Sequence, residues 1–476
     1  MAAGSGYTAP VQADTRLIAS IVAGAFFMQL LDGAIINTSL PQMAQSFGVT
    51  PVGVSIGITI YLMSAAAFMP LSGWLADRFG SRNVFTGAIA VFTVASLCCG
   101  LAGSLTEFGL ARAVQGVGGA LMTPVGRLVV LRNTQKSELL HAIALITWPA
   151  LAAPVVAPAL GGFITTYISW RWNFLLNVPL GAIGAALALR FVPNSVAEAR
   201  SLMDWRGFAY SALALTALLY GLQSFSQARV DGWLSGGLIL AGTALASVAI
   251  RHFAHARHPL LQLSPARVRT YAITSISAGL AFRAAITATP FLLPLLFQLI
   301  FGLNALASGL LVLVYFAGNM GIKPLTTPIL RRAGFRTVLV INGALAGLAI
   351  MACALLTPQT PRALVVAVLL VAGMTRSMQF TGLNSLAFAD IGAEQRSSAA
   401  TLASVLEQVA AILGVASAAV VLNLSEMFWA ESAVSPRDFR IAFLVAGTAA
   451  TAAAWSFRRL DANAGAEISG QRAGRK

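Results

Sequence analysis

Five ionisable side chains stand inside long apolar runs of this 476-residue chain: Asp32, Arg112, Arg283, Arg376 and Glu407. A charge in hydrocarbon is costly, so such residues mark ion or substrate pathways. Asp32 lies about seven residues from one end of its run, and Arg112 about five from the same-side end of its own; at about 1.5 Å rise per residue both sit roughly 8–11 Å below one membrane face. Shared depth permits an ion pair, in which the arginine favours the charged carboxylate and loss of the arginine favours the protonated one. That is the chemistry of a proton carrier, with Asp32, Arg112 and Glu407 as its candidate residues. Arg283 and Arg376 have no acid nearby in their own runs, and Glu407 can neutralise only one of them. Three arginines against two acids leave a cavity that suits anionic or zwitterionic amphipathic substrates better than lipophilic cations. Gln115, Gln379 and Asn384 are polar neighbours placed to line the same cavity.

These charges need apolar elements to position them. The chain is 57% hydrophobic and 10% charged, with a mean hydropathy of +0.79. Ordinary soluble chains carry roughly 25% charge. Apolar runs of about twenty residues recur along the whole length, enough for helices that cross a bilayer. No alternating barrel pattern is present, so the spans are helical and satisfy their own backbone hydrogen bonds. The expected architecture is all-α and polytopic, with about fourteen transmembrane helices arranged as six, two and six. Their starts are expected near Leu17, Val52, Val84, Glu107, Leu140, Trp172, Gly207, Leu234, Tyr271, Leu306, Thr337, Ala363, Ser397 and Phe439.

Residues 70–82 align without a gap on residues 324–336, with Pro, Leu, Arg, Gly and Arg recurring at the same five places. A loop repeated half a chain apart implies two related halves with a site between them. The expected divisions are a cytoplasmic tail 1–16, a first half 17–195, two additional helices and linkers 196–269, a second half 270–457 and a tail 458–476. Placing both termini in the cytoplasm puts 23 of the 31 basic residues there and leaves Arg171, Arg229, Arg362, Arg437 and Arg440 outside. That segregation follows the positive-inside rule. Trp170 and Trp172 flank Arg171 at an outer boundary, where an aromatic belt is expected.

The loop Gly73-Trp74-Leu75-Ala76-Asp77-Arg78-Phe79-Gly80-Ser81-Arg82 closely resembles the cytoplasmic signature of the major facilitator superfamily. Gly73 there permits close helix approach and Gly80 a tight turn. Asp77 can receive a helix N-terminus or a neighbouring arginine, giving a latch that can form and break, and Arg78 and Arg82 belong to the same gate motif. The repeat has Arg331 in place of the acid, so only the first latch is complete. Leu31-Asp32-Gly33-Ala34-Ile35-Ile36-Asn37-Thr38-Ser39-Leu40-Pro41 resembles the first-helix signature of the fourteen-helix drug:proton antiporter branch. Arg112-Ala113-Val114-Gln115-Gly116-Val117-Gly118-Gly119-Ala120 resembles its fourth-helix signature. The fifth-helix antiporter motif is similar to Pro154-Val155-Val156-Ala157-Pro158-Ala159-Leu160-Gly161-Gly162, with Pro149 upstream and Asn177-Val178-Pro179 following at helix six. Ala153 and Ala157 stand where that family usually has glycine, while the prolines still remove ladder hydrogen bonds. Pro-Val-Gly-Arg-Leu at 124–128 and Met378-Gln379-Phe380-Thr381 make the chain most similar to MdtD-type multidrug exporters of bacteria.

The resemblance implies a proton-coupled exporter in a bacterial inner membrane, working by alternating access. The alternative on the same fold is a symporter or facilitator of a small organic anion. No Walker-type phosphate loop is present, so the proton gradient is the expected energy source, with no cofactor and no metal. The expected partners are a small molecule and the bilayer, with a monomer as the default. Net charge is +15, but the basic residues lie between apolar runs instead of in one patch with aromatics, which excludes a nucleic-acid surface. An enzyme would need a His-based constellation, yet His252, His255 and His258 fall in a linker expected to be solvated, leaving His141 alone elsewhere. Cys98, Cys99 and Cys353 lie within spans and offer no loop disulfide.

Overall fold

The computed structural model describes residues 15–134, 139–194, 203–224, 232–256, 259–392, 395–429 and 434–466. Arg229, His258 and most of both expected tails lie outside them. Long helices stand at every expected position, starting within three residues of it. They are α1 (Thr15–Ile35), α2 (Pro51–Phe68), α3 (Ser81–Leu101), α4 (Leu105–Asn133), α5 (Leu139–Tyr167), α6 (Trp172–Phe191) and α7 (Trp205–Ser224). After these come α8 (Gly232–His255), α9 (Arg269–Ile300), α10 (Ala305–Gly321), α11 (Phe335–Cys353), α12 (Arg362–Ala387), α13 (Arg396–Phe428) and α14 (Pro436–Ser456). Eleven are long and apolar enough to cross a membrane among the described residues, and α10 makes a twelfth with the helix Lys323–Ala333, bent from it by 47°. The other two are α5, with Pro149, Pro154 and Pro158 inside it, and α7.

Local chemistry sets the starts. The side chains of Thr50, Ser104 and Asn304 each accept the N–H three residues on, and Ser435 forms a reciprocal box with Asp438. Pro51 and Pro436 occupy first-turn positions, where a missing N–H costs nothing. The repeated loops fold alike: Leu71–Phe79 ends at Gly80 (φ 87°) and Lys323–Ala333 at Gly334 (φ 76°), each leading straight into the next long helix. Positive φ explains why both copies keep glycine there.

Within the first half, α3 packs on α4 and α6, α1 on α5, and α2 on α4. In the second, α11 packs on α12 and α14, α9 on α13 and α14, and α10 on α12. The halves meet along two seams, α5 against α10 and α2 against α13. The second helix of each half thus faces the fifth of the other, as a two-fold repeat requires. The pair α7–α8 lies over one seam, with α7 touching both α2 and α13.

Three expectations are corrected here. Gly73 has open space on its Cβ side, so it is not a close-approach glycine. Trp170 is buried among Phe47, Phe108 and Phe174, and its Nε1 donates to Ser46 Oγ at 2.9 Å; of the two tryptophans only Trp172 is exposed. His252 is not a solvated linker residue, because it caps α8 against Asp204, Nε2 to Oδ1 at 2.8 Å.

Candidate functional site

The first-half site is built by four helices around Asp32. Gly116 and Gly119 of α4 have no room for a Cβ against the Tyr61 carbonyl and hydroxyl, which brings α4 and α2 into close contact. That places the Arg112 guanidinium 4.2 Å from the Tyr61 ring centre, its Nε donating to the Gly57 carbonyl at 3.2 Å. Arg112 Nη1 donates to Asp32 Oδ2 at 2.8 Å, with both side chains 0% exposed. On the other carboxylate oxygen converge Gln115 Nε2 at 2.9 Å and Asn177 Nδ2 at 2.7 Å, and both amides also reach Ser96 Oγ. A charge pair this deep is tolerated only when most of its remaining polar atoms are satisfied. Both carboxylate oxygens are, while Arg112 Nη2 is buried without a partner among the described residues.

Gln115, expected to line a cavity, is therefore a ligand of the ion pair and is fully buried. Gln379 is displaced from the cavity too: it is fully buried, donating to the Leu339 carbonyl at 3.0 Å and accepting from Asn342 at 2.9 Å. Glu407 does not join Asp32 and Arg112. It lies in the second half, where Arg283 Nη1 donates to it at 2.9 Å and Arg283 Nη2 to Asn384 Oδ1 at 2.7 Å. Arg376 stacks on Phe380, 5.0 Å from the ring centre. Arg376, Phe380 and Asn384 follow at four-residue spacing, one stripe of α12.

The proline-glycine run of α5 lies on the seam between halves. A Cβ at Gly162 would strike the backbone of Ala305, and one at Gly309 would strike the carbonyl of Pro158. Gly161 is equally crowded by the Ile35 carbonyl and Thr38. Polar bonds reinforce the same end of the bundle: Gln298 Nε2 donates to the Thr38 carbonyl at 2.8 Å, Gln42 Nε2 to Gln298 Oε1 at 3.2 Å, and Leu306 N–H to Thr166 Oγ1 at 3.1 Å. Ala153 and Ala157 point elsewhere, fully buried with Leu31 and Ile35 of α1. Their methyls fill a contact that glycine would leave thin, which accounts for the departure from the motif. Pro154 lies at the middle of α5 and Pro149 about one turn before it.

In the repeated loop Asp77 Oδ1 accepts from Arg132 Nη2 at 2.6 Å, joining the loop to the end of α4. Arg78 stacks on Trp74 at 5.8 Å and Arg82 reaches Asn83 at 3.4 Å. The latch partner comes from the same half.

Sequence reasoning missed Ser96, Tyr61, Asn177 and Gln298. Asn177 belongs to the Asn-Val-Pro stretch that marks the start of helix six in the sequence. The others are isolated polar residues in apolar runs, and only the packing shows which face they occupy.

The profile of the Major Facilitator Superfamily matches residues 22–415. The chain belongs to the major facilitator superfamily. This places it among transporters and not enzymes. Within the superfamily it is 36% identical over 414 residues to the protein named multidrug resistance protein MdtD in Salmonella typhimurium, covering 86% of this chain and 87% of the relative. The namesake in Escherichia coli O6:H1 is 36% identical over 413 residues with the same coverage. Among solved structures, an auto-inhibited POT family peptide transporter superposes with a TM-score of 0.68 at 16% identity, covering 94% of this chain and 97% of that one. A D-xylose–proton symporter gives 0.66 at 13%, with the same coverage. These likenesses carry the superfamily fold alone.

Proposed function

We propose that the protein is a proton-coupled secondary exporter of amphipathic small molecules, of the multidrug-efflux type, seated in a bacterial inner membrane with both termini cytoplasmic. The observation that carries this reading is the sealed Asp32–Arg112 pair. A proton on Asp32 removes the charge that Arg112 pairs with, so Arg112, Gln115 and Asn177 must redistribute their hydrogen bonds. Because the four side chains come from α1, α4 and α6, that redistribution changes how these helices pack.

The basic segregation puts the end that bears Thr38, Thr166 and Gln298 on the outer side. The halves touch there backbone to backbone, which supports an outward-closed state of an alternating cycle. Opening that end requires α5 to leave α10, and the proline-interrupted α5 is the helix suited to bend. Protons entering from outside then reach Asp32, and substrate leaves by the same opening. The name of the MdtD relatives agrees with export of small molecules.

The test is proton flux across proteoliposomes carrying the full chain and a pH gradient, with amphipathic anions, zwitterions and cations added in turn. Substrate-dependent proton movement opposite to substrate movement is the expected result. Movement of both in one direction would make the protein a symporter, and flux without any proton movement a facilitator.

A further inference from the structure

Arg376 is the intramembrane arginine that has no acid partner among the described residues. Arg112 is neutralised by Asp32 and Arg283 by Glu407. Arg376, near the middle of α12, has no acid and no hydrogen-bond acceptor among the described residues, and its Nε is sealed from solvent without a partner. It has aromatic faces instead. Its guanidinium carbon lies 5.0 Å from the ring centre of Phe380, 5.7 Å from Phe316 and 6.0 Å from Tyr315. Ring faces attract a cation, but they accept none of its directed N–H bonds.

The backbone explains how this group is held. Gly318 of α10 and Gly373 of α12 have no room for a Cβ against the backbones of Leu370 and Tyr315, so the two helices cross in direct contact. Arg376, about one turn after Gly373, is thereby laid on Tyr315 and Phe316, and Phe380 follows one turn later. Past Gly321 the chain bends by 47° into Lys323–Ala333, bringing Lys323 back to α12. There its Nζ donates to Thr381 Oγ1 at 3.0 Å. Lys323 is exposed, has no acid partner among the described residues, and is close enough to Arg376 for the two cations to repel. Two such cations, one of them with a buried unpaired donor, lack a counter-charge among the described residues.

We infer that Arg376 and Lys323, with Phe316, Phe380 and Thr381, form an anion subsite on the substrate path that takes the carboxylate of an amphipathic organic acid. This rests on the transporter reading and names its substrate class. Carboxylate fits better than a spherical anion because the guanidinium presents a planar fork of N–H donors that matches two oxygens. Lys323 has two N–H groups left after Thr381 to close on the same group. The aromatic rings offer the apolar body of the acid a flat wall.

The test uses the purified full chain in phosphatidylcholine nanodiscs, free of anionic lipid, titrated calorimetrically with 2-naphthoate. The neutral isostere 2-naphthamide, 2-naphthylmethylammonium and 2-naphthyl phosphate are run beside it. The expected result is naphthoate binding about tenfold or more tighter than the amide. Arg376→Gln should weaken naphthoate by about tenfold or more and leave the amide unchanged. Lys323→Gln, at an exposed position where folding is not at risk, should weaken naphthoate by about three- to tenfold. Absence of naphthoate binding, equal binding of acid and amide, or naphthoate affinity that survives both substitutions would overturn the inference. So would tighter binding of the ammonium or the phosphate. Loss of proton coupling in proteoliposomes with this binding pattern intact would count against the exporter reading and spare the subsite; the reverse result would do the opposite.

Discussion

Arg283 of α9 holds Glu407 of α13 at 2.9 Å, with the arginine 5% exposed and the carboxylate 46% exposed. The deep pair of the first half, Asp32 with Arg112, has no exposure at either partner. Among the described residues each half therefore carries one acid–arginine pair at depth within its helices. One is sealed in the bundle and the other opens on one side. An exposed carboxylate exchanges its partner for water at small cost, whereas a sealed one does not.

Glu407→Gln should therefore cost less stability than loss of Asp32, because Asn384 still engages Arg283 and water can reach the half-exposed end of the pair to accept the freed N–H. Export should slow without uncoupling, so the number of protons moved per substrate in proteoliposomes stays the same. Loss of coupling in this variant would make Glu407 the obligatory proton carrier in place of Asp32.

Asp32→Asn should behave differently in both respects. It leaves Arg112 charged and unpaired in a site closed to solvent, at a cost of about 3–5 kcal/mol. Uphill export should be abolished. The double variant Asp32→Asn/Arg112→Gln separates the two effects: thermal stability should return toward wild type while proton-driven export stays absent. Recovery of export in the double variant would reduce the pair to a structural tie.

Most of this architecture is legible in the sequence because hydrophobic length and the repeated loop report on it directly. Gly80 and Gly334 keep their places since both need positive φ, a requirement that a sequence shows without a structure. The ion pair of Asp32 and Arg112 was legible from depth alone. What depth does not carry is azimuth around a helix. Gln115, Gln379 and Asn384 all stand close in sequence to intramembrane charges, yet the first two point into packed interiors while Asn384 is exposed. Apolar matches all round these helices leave too little contrast between faces to choose one. Lys323 was hidden for another reason. A lysine after an apolar run reads as ordinary positive-inside charge, and only the 47° bend turns it toward Arg376's helix.

The α5–α10 seam makes a steric prediction. Gly309→Val adds a branched side chain where Cβ alone already meets the Pro158 carbonyl. The outer ends cannot then close as described, and the population should shift toward outward-open states. A cysteine placed at Thr166 should label faster from outside in this background than in wild type. A shift of about 1–3 kcal/mol is the scale expected for a coupling of this kind, or roughly 5–150-fold in the closed-to-open ratio. Unchanged labelling would mean that α10 yields locally without opening the seam.

Asp204 gives a pH dependence whose sign is fixed by its surroundings. Burial opposes its ionisation, but the Gly207 N–H, the His252 ring and the Leu260 N–H all bond its oxygens and together hold it below the ordinary carboxylate range. This corner ties the start of α7 to the last turn of α8 and to the linker before α9. A depressed carboxylate contributes stability that is present above the unfolded value of about 3.9 and is lost as pH falls through the lower folded value. Asp204→Asn keeps the shape but removes the charge. Tryptophan fluorescence melts should show the variant less stable than wild type by a constant margin at neutral pH, down to about pH 5. Below about pH 4 the margin should shrink, because wild-type Asp204 then loses its charge as well. A margin that stayed the same at low pH would assign the effect to packing around Leu260 and His252 instead of to the carboxylate.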